Sequence, residues 1–277
     1  MKILLLALLL AISSAQALAQ PAAVIEGVQT PAWLEREGTR MPLAPGMELR
    51  AGDRILSGAG ARVLVRLTEG SVVKLGENGT LRLAELQPSR ELFKAALHVL
   101  QGAFRFTTDI VGKGRRREVN VRVEQVTIGI RGTDFWGRSR GERQIVCLLE
   151  GAIEVGAEGE QAVTLDQPRQ FYQRDKGRTL PIGFVDAGQL AQWSQETEIE
   201  AGKGALRRGG RFSAQLAATE NEEAARALRE RLRAAGYPAE LARVKQADKE
   251  VYHVRIGHLP SREEAQALSD QLKARFQ

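Results

Sequence analysis

The sequence predicts a mixed multidomain protein, with an all-β N-terminal domain (a sandwich or a β-roll) and a small α+β, ferredoxin-like C-terminal domain. Three observations support this. From about residue 24 to residue 171 the chain alternates like β-strands, with almost no helical period. A Gly- and Arg-rich stretch follows at 202–210. Beyond it, a strand-then-helix pattern occurs twice, with a period of roughly 40 residues.

The N-terminus predicts export. Lys2 precedes an unbroken apolar run over residues 3–12, and Ala17-Leu18-Ala19 places small residues where a signal peptidase cleaves. The run is roughly half as long as a membrane-spanning helix needs to be. We therefore expect a signal peptide over residues 1–19, cleaved near Ala19, a periplasmic mature chain and no transmembrane segment within it.

The 277 residues, 43% of them apolar, with a net charge of +6, suit one large or two modest globular domains. Cys147 is the only cysteine, so no intramolecular disulfide can form. It lies in the apolar run 145–149, where a buried and inert thiol is expected.

Short strands and tight turns are expected in the β domain, assigned to residues 24–171. Val63, Val65 and Leu67 alternate with less apolar neighbours. Acidic or amide residues precede glycine at 26–27, 69–70, 101–102 and 150–151, and Asn78-Gly79 gives a further turn signal. Because Gly and Asn accept positive φ, these pairs predict bends between antiparallel strands.

The stretch VTIGIRGTDFW, residues 126–136, predicts a corner. Valines occupy odd positions over 119–123, whereas the apolar residues of 126–130 occupy even ones, so the chain must turn or bulge at Glu124-Gln125. A second interruption is expected before the strand 133–138. Gly132 would supply the backbone freedom, and Arg131 and Asp134 are close enough in sequence to pair, or to cap backbone groups across the bend.

A helix and a linker are predicted over residues 186–210. Asp186 is the expected N-cap, with Leu190, Trp193 and Ile199 as apolar contacts. Gly and Arg without an apolar period then predict a flexible basic linker, and we place the domain boundary there.

The C-terminal domain, residues 211–277, reads βαββα, which is a split-βαβ order with its fourth strand missing. Capping boxes at 219–222 and 261–264 introduce two helices. The helices carry apolar stripes, listed in order as Ala224, Leu228, Leu232 and Ala235, then Ala265, Leu268, Leu272 and Phe276.

The first domain resembles the periplasmic FecR-type domain. The matching segments are LRAGDRI (49–55), TEGS (68–71) with VKLG (73–76), Gly102 with Phe104, IRGTDF (130–135) and residues 146–155. The resemblance implies that the Arg-Gly-Thr-Asp element marks the fold and is not an active site.

The second domain resembles the SPOR domain, a module that binds peptidoglycan, typically glycan strands stripped of their stem peptides. Gln215 matches a Gln in the family's first strand, and YHVRIGH (252–258) matches an aromatic followed by Arg-Val-x-x-Gly-Pro. His253 stands where the family has arginine, and His258 where it has proline. The resemblance implies a peptidoglycan site and a location at division sites, where bare glycan is abundant.

Strand alternation indicates which side chains would form that site. Phe212, Ala214, Leu216, Val254 and Ile256 should face the helices, leaving an open sheet face for the rest. Amide, imidazole and guanidinium groups can hydrogen-bond a polysaccharide. The predicted peptidoglycan-binding residues are Ser213, Gln215, Tyr252, His253 and Arg255.

Other functions find less support in the residues. His98, His253 and His258 are the only histidines, and no nucleophile or metal-ligand motif accompanies them, so we predict no catalytic residue, metal site or cofactor. Nucleic-acid binding is disfavoured because the outward strand positions lack stacking aromatics. Expected partners are glycan strands and a periplasmic protein that contacts the β domain. The alternative is a FecR-type periplasmic signalling or interaction scaffold with no glycan binding.

Overall fold

The computed structural model describes residues 21–89, 91–108, 116–246 and 249–276. The predicted signal peptide, residues 1–19, lies outside these ranges. The first eight strands are β1 (Ala23–Gln29), β2 (Ala32–Arg36), β3 (Thr39–Pro42), β4 (Glu48–Leu49), β5 (Arg54–Ser57), β6 (Arg62–Leu67), β7 (Val72–Leu75) and β8 (Thr80–Pro88). The β domain continues with β9 (Leu92–Thr107), β10 (Arg116–Val123), β11 (Val126–Arg140), β12 (Arg143–Ala157), β13 (Val163–Leu165), β14 (Gln170–Asp175), β15 (Arg178–Thr179), β16 (Gly183–Phe184) and α1 (Ala187–Gln195). The remaining elements are β17 (Leu206–Arg207), β18 (Phe212–Thr219), α2 (Glu222–Ala234), β19 (Glu240–Gln246), β20 (Lys249–Leu259) and α3 (Arg262–Phe276).

The β domain is a two-layer sandwich, which confirms the predicted fold. The first layer contains β3, β2, β5, β8 and β10, and the second contains β1, β6, β7 and β14. The long strands β9, β11 and β12 belong to both layers. Up to Gln101, β9 pairs with β8 and β10, and beyond it with β7 and β11. The β9–β10 pairing is parallel, and the other pairings named here are antiparallel.

Apolar side chains of both layers fill the space between them. Val63, Val65 and Leu67 point into this core, as their alternation predicts. Phe135 lies at its centre, with ring centroids 5.9 Å from Phe104 and 5.6 Å from Phe106. Burying each such ring stabilises the fold by roughly 2–3 kcal/mol, so these aromatics hold the layers together.

The predicted bends are of two kinds. Glu69-Gly70 forms the turn between β6 and β7. The other three pairs lie inside β1, β9 and β12, at or beside register shifts. A bulge bends a strand while pairing continues on both sides, so the prediction of short strands is wrong at these positions. Asn78 lies in the turn between β7 and β8, with φ 49°. These two strands do not form a hairpin, because β7 pairs with β6 and β9 whereas β8 pairs with β5 and β9. The turn therefore carries the chain from the second layer to the first.

The Arg-Gly-Thr-Asp stretch is a structural corner. Val123 pairs with Val126 across a two-residue turn, which confirms the phase slip at Glu124-Gln125. Further on, Gly132 (φ 60°) lies in the bulge where β11 passes from the first layer to the second, opposite Gly151 (φ 84°) of β12.

A backbone amide and a carboxylate at this corner find specific partners. The backbone amide of Thr133 donates to the hydroxyl of Thr108 at 2.6 Å. The carboxylate of Asp134 accepts two hydrogen bonds from Arg105, at 2.9 and 2.5 Å. Arg131, the partner considered from sequence, has a side chain outside what the structure describes. Asp134 is therefore held by a neighbouring strand.

Helix α1 covers the outer surface of the second layer. Asp186 caps it by accepting from the amide of Gln189 at 2.9 Å, as predicted. Trp193 stacks on Trp136 with centroids 4.8 Å apart. The helix ends at Gln195, so Ile199 lies beyond it. Cys147 is fully buried in this small second core, and burial raises its pKa to about 12.

The Gly-rich segment 202–210 differs from the flexible linker predicted by composition. Its residues Leu206 and Arg207 form β17, which pairs with β1 of the β domain. Leu206 is fully buried in the core of the C-terminal domain. The glycines at 202, 204 and 209 adopt positive φ in defined turns, an arrangement that composition does not distinguish from disorder.

The C-terminal domain has the predicted βαββα order among the described residues, with sheet order β18-β20-β19 and both neighbouring pairs antiparallel. Asn221, within the first predicted capping box, is the N-cap of α2, and Ser261 caps α3. In the predicted α2 stripe, Leu232 is buried and Leu228 and Ala235 pack against the core, whereas Ala224 is exposed and its neighbour Ala225 is buried in its place. The α3 stripe is confirmed.

Candidate functional site

The candidate site is the face of the C-terminal sheet that lies opposite the helices, called the open face below. Ala214, Leu216, Val254 and Ile256 are buried under α2 and α3, so side chains of the opposite parity point outward. A register shift between Gln215 and Ala217 reverses this parity in β18 and turns Ala218 outward as well. The open face comprises Ser213, Gln215 and Ala218 of β18, Val251, His253 and Arg255 of β20, and Glu240, Ala242 and Val244 of β19.

Three of the predicted site residues are brought together there. Gln215 and Arg255 are direct cross-strand partners, and the Oε1 atom of Gln215 lies 3.0 Å from Nδ1 of His253. On the other side, Nε of Arg255 lies 4.0 Å from the carboxylate of Glu240. Ser213 is exposed two residues from Gln215. The face thus offers amide, imidazole, guanidinium and hydroxyl groups within reach of one ligand.

Small side chains surround the imidazole. His253 has Ala218 as its partner on β18 and Ala242 as its partner on β19. These methyl groups leave the ring unobstructed from both sides. Sugar rings bind proteins through such combinations of hydrogen-bonding groups and short apolar side chains.

Tyr252 does not belong to this site. It lies on the helix-facing side of β20 and is buried, and its hydroxyl lies 3.1 Å from Glu222 and 3.2 Å from Glu250. Strict alternation with Val254 and Ile256 accounts for this position. Phe212, expected to face the helices, differs from the prediction: a register shift lies before Ala214, and Phe212 is 37% exposed.

The other two histidines lie apart from the open face. His258 is exposed, with φ 65°, near the end of β20. His98 lies on the outer surface of β9, where burial and the positive charges of Arg122 and Arg82 lower its pKa. Within the described ranges, no group of three or more His, Cys, Asp or Glu side chains is arranged to hold a metal ion, and no helix is long and apolar enough to cross a membrane.

One concave feature of the β domain was not found from sequence. A cleft of about 490 Å³ is lined in part by Arg62, Arg138, Arg140 and Glu196. Nη1 of Arg138 donates to Glu196 at 2.7 Å, and burial raises the pKa of Glu196 despite the nearby arginines. Because these residues come from β6, β11 and the segment after α1, no local motif signals the cleft.

A two-layer β domain joined to a βαββα domain with a polar open face defines a two-module protein with a candidate binding face on its second module. Comparison with known families identifies both modules. Residues 53–154 match the family model described as FecR protein, and residues 209–277 match the SPOR domain. The chain thus carries a FecR domain followed by a SPOR domain. SPOR domains bind peptidoglycan, and both families comprise binding or regulatory domains typical of envelope proteins.

No curated protein matches the chain. Among solved structures, two crystal structures of a candidate anti-sigma factor from Parabacteroides distasonis ATCC 8503 are similar. One has 22% identity, covering 51% of this chain and 64% of that chain, with a TM-score of 0.42. The other has 19% identity and covers 79% of this chain and 90% of that chain, with a TM-score of 0.42. The chain thus spans less than two thirds of the first of these relatives, and no functional argument follows from similarities of this size.

Proposed function

We propose that this is an exported, non-enzymatic envelope protein that docks on peptidoglycan glycan strands lacking stem peptides, through the open face of its SPOR domain. The observation that carries the proposal is the Gln215–His253–Arg255 group on that face. It supplies donors and acceptors that match the hydroxyl and acetamido groups of the glycan.

The charge of the face accounts for a preference for stripped strands. Removing a stem peptide uncovers the sugar carboxylate to which the peptide was attached. Arg255 is half-exposed, and its carboxylate neighbour, Glu240, lies as far as 4.0 Å away. Its guanidinium is therefore available to pair with that uncovered carboxylate, and Gln215 and His253 can bind the adjoining sugar.

The SPOR domain then localises the β domain. Bare glycan is abundant where cells divide, so docking would concentrate the protein at division sites in the periplasm, once the signal peptide over residues 1–19 is removed. There the FecR domain presents its surface to a periplasmic protein partner. The alternative is a FecR-type signalling or interaction scaffold that binds no glycan, which the family match over residues 53–154 favours.

The test is co-sedimentation of the purified chain with cell-wall sacculi, before and after an amidase removes the stem peptides. Binding should rise on stripping and fall at least tenfold in the variant Q215A/R255A. The matched control, R262A/Q266A, removes the same residue types from exposed positions of α3 on the other side of the sheet. Equal sedimentation of both variants would refute the open face as the site, and no sedimentation of the wild-type chain would favour the scaffold alternative.

A further inference from the structure

Four basic side chains form a continuous row across the first layer of the β domain. Arg54 of β5 pairs directly with Arg82 of β8, Arg82 with His98 of β9, and His98 with Arg122 of β10. We call Arg54, Arg82, His98 and Arg122 the basic row. Since neighbouring strands lie about 4.8 Å apart, the row extends over roughly 14 Å.

The basic row faces solvent on the outer surface of the sandwich. The residues next to it along each strand, such as Ile55, Leu81 and Leu97, are buried in the core, so alternation directs the row outward. The side chains of Arg54 and Arg122 are 45% and 44% exposed. A ligand can therefore reach the row without any rearrangement of the fold.

This arrangement costs folding free energy. Like charges directly opposite each other on adjacent strands are destabilising, and Arg54 and Arg82 form such a pair. Two carboxylates compensate its ends: Glu35 lies 3.2 Å from Arg54, and Glu158, itself 86% exposed, lies 3.5 Å from Arg122. In the middle, Arg82 has no hydrogen bond or ion pair within the described ranges, and its charge acts on His98. The centre of the row is left with uncompensated positive charge.

The surroundings of the row restrict the shape of a partner. Leu56 and Thr80 flank it on one side, and Ala96 and Asn120 on the other, so the positive charge forms a line one residue wide. Glu85, Glu118 and Glu154 occupy other outward positions of the same layer. These carboxylates would repel a flat anionic membrane, and the row has no aromatic side chain on which a nucleic-acid base could stack.

We propose that the basic row binds a linear, phosphate-bearing polymer of the cell envelope, laid across the strands. Guanidinium groups bind phosphate oxygens through paired hydrogen bonds, and a line of them at strand spacing follows an extended chain better than a compact ligand. Bound phosphates would offset the repulsion between Arg54 and Arg82 and favour the protonated form of His98. This gives the FecR domain a ligand of its own, distinct from the glycan proposed for the open face.

The test uses the full chain and fluorescently labelled inorganic polyphosphate as the probe. The variant R82Q/R122Q removes two charges from the row, and R143Q/R178Q removes two exposed charges elsewhere on the domain. We expect at least a tenfold loss of affinity in the first and less than a twofold change in the second. The slope of log K against log salt should become shallower by about two for R82Q/R122Q only, because two fewer counterions are released.

Two further measurements complete the test. Because Arg54 repels Arg82, R82Q should leave the unfolding temperature unchanged or raise it, whereas a structural role would lower it. Q215A/R255A should bind polyphosphate like the wild-type chain, so failure of the glycan proposal leaves this one standing. Equal losses in R82Q/R122Q and R143Q/R178Q would overturn the proposal, as would row-dependent binding to phosphatidylglycerol vesicles as tight as that to polyphosphate.

Discussion

Asp134 shows how a residue that looks functional in the sequence serves the fold. Its side chain is 12% exposed, that of Arg105 is 24% exposed, and the two share paired hydrogen bonds. The hydrogen bond to Asp134 is the main cause that raises the pKa of Arg105. Thr107 adds a further contact to the same carboxylate at 3.2 Å. The acidic position of the Arg-Gly-Thr-Asp element thus fixes β11 to β9 just beyond the corner.

We expect Asp134→Ala to lower the free energy of unfolding by about 2–3 kcal/mol, because it leaves the partly buried guanidinium of Arg105 without its main counter-charge. Urea denaturation of the full chain measures this. Glu118→Ala is the matched control, since the Glu118–Lys94 pair is 51% and 42% exposed and should contribute less than about 1 kcal/mol. Similar losses in both variants would contradict the role given to Asp134.

Bulges, more than turns, shape the β domain. At the corner, the carbonyl oxygen of Gly132 would lie 2.4 Å from a Cβ added to Gly151, and the side chain of Thr133 would lie 3.0 Å from it. The two bulged strands therefore approach so closely at Gly151 that no side chain fits there. This close approach lets β11 and β12 bend together from one layer into the other.

We expect Gly151→Ala to lower the unfolding free energy by about 3 kcal/mol or more, since it adds a backbone clash to an unfavourable φ of 84°. Gly177→Ala isolates the cost of the positive φ, because Gly177 has φ 73° and a Cβ added to it would have nothing within 4 Å. That control should cost about 1 kcal/mol. Equal unfolding midpoints of the two variants in urea would show that the corner tolerates a side chain.

Local patterns predicted the strands and caps but not the partners of each strand. The valines of 119–123 and the turn at Glu124-Gln125 are visible in sequence because side-chain parity is a local property. The same dipeptide type gives a turn at Glu69-Gly70 and a bulge at Glu150-Gly151, because the pairing on either side decides between them. The open face follows from alternation, and the same alternation places Tyr252 on the helix-facing side of β20, which its place in the family pattern does not reveal.

The two domains are joined by specific contacts across the Gly-rich segment. The carboxylate of Glu264 in α3 accepts from the backbone amides of Gly202, Gly204 and Ala205, at 2.6, 2.6 and 3.2 Å. Elsewhere, Trp33 of β2 donates to the carbonyl of Ala234 at the end of α2. In the second predicted capping box, Ser261 therefore caps α3, while the side chain of Glu264 binds the Gly-rich segment.

We expect Glu264→Ala to release the linker, because three amides lose a charged acceptor at once. Limited trypsin digestion should then cleave within 203–211 at least about fivefold faster than in the wild-type chain. Glu263→Ala is the control, since it removes a carboxylate from the same first turn of α3 without touching the linker. Equal cleavage rates in all three chains would mean that Glu264 does not restrain the segment.

The burial of Cys147 makes the chain well suited to site-specific labelling. Its thiol is fully buried, and with a pKa of about 12 it forms almost no thiolate near neutral pH. Alkylating dyes and spin labels would therefore leave it unmodified. A cysteine introduced at the exposed Val244 on the open face, or at Thr80 beside the basic row, would be the only reactive thiol and would report occupancy of each surface separately.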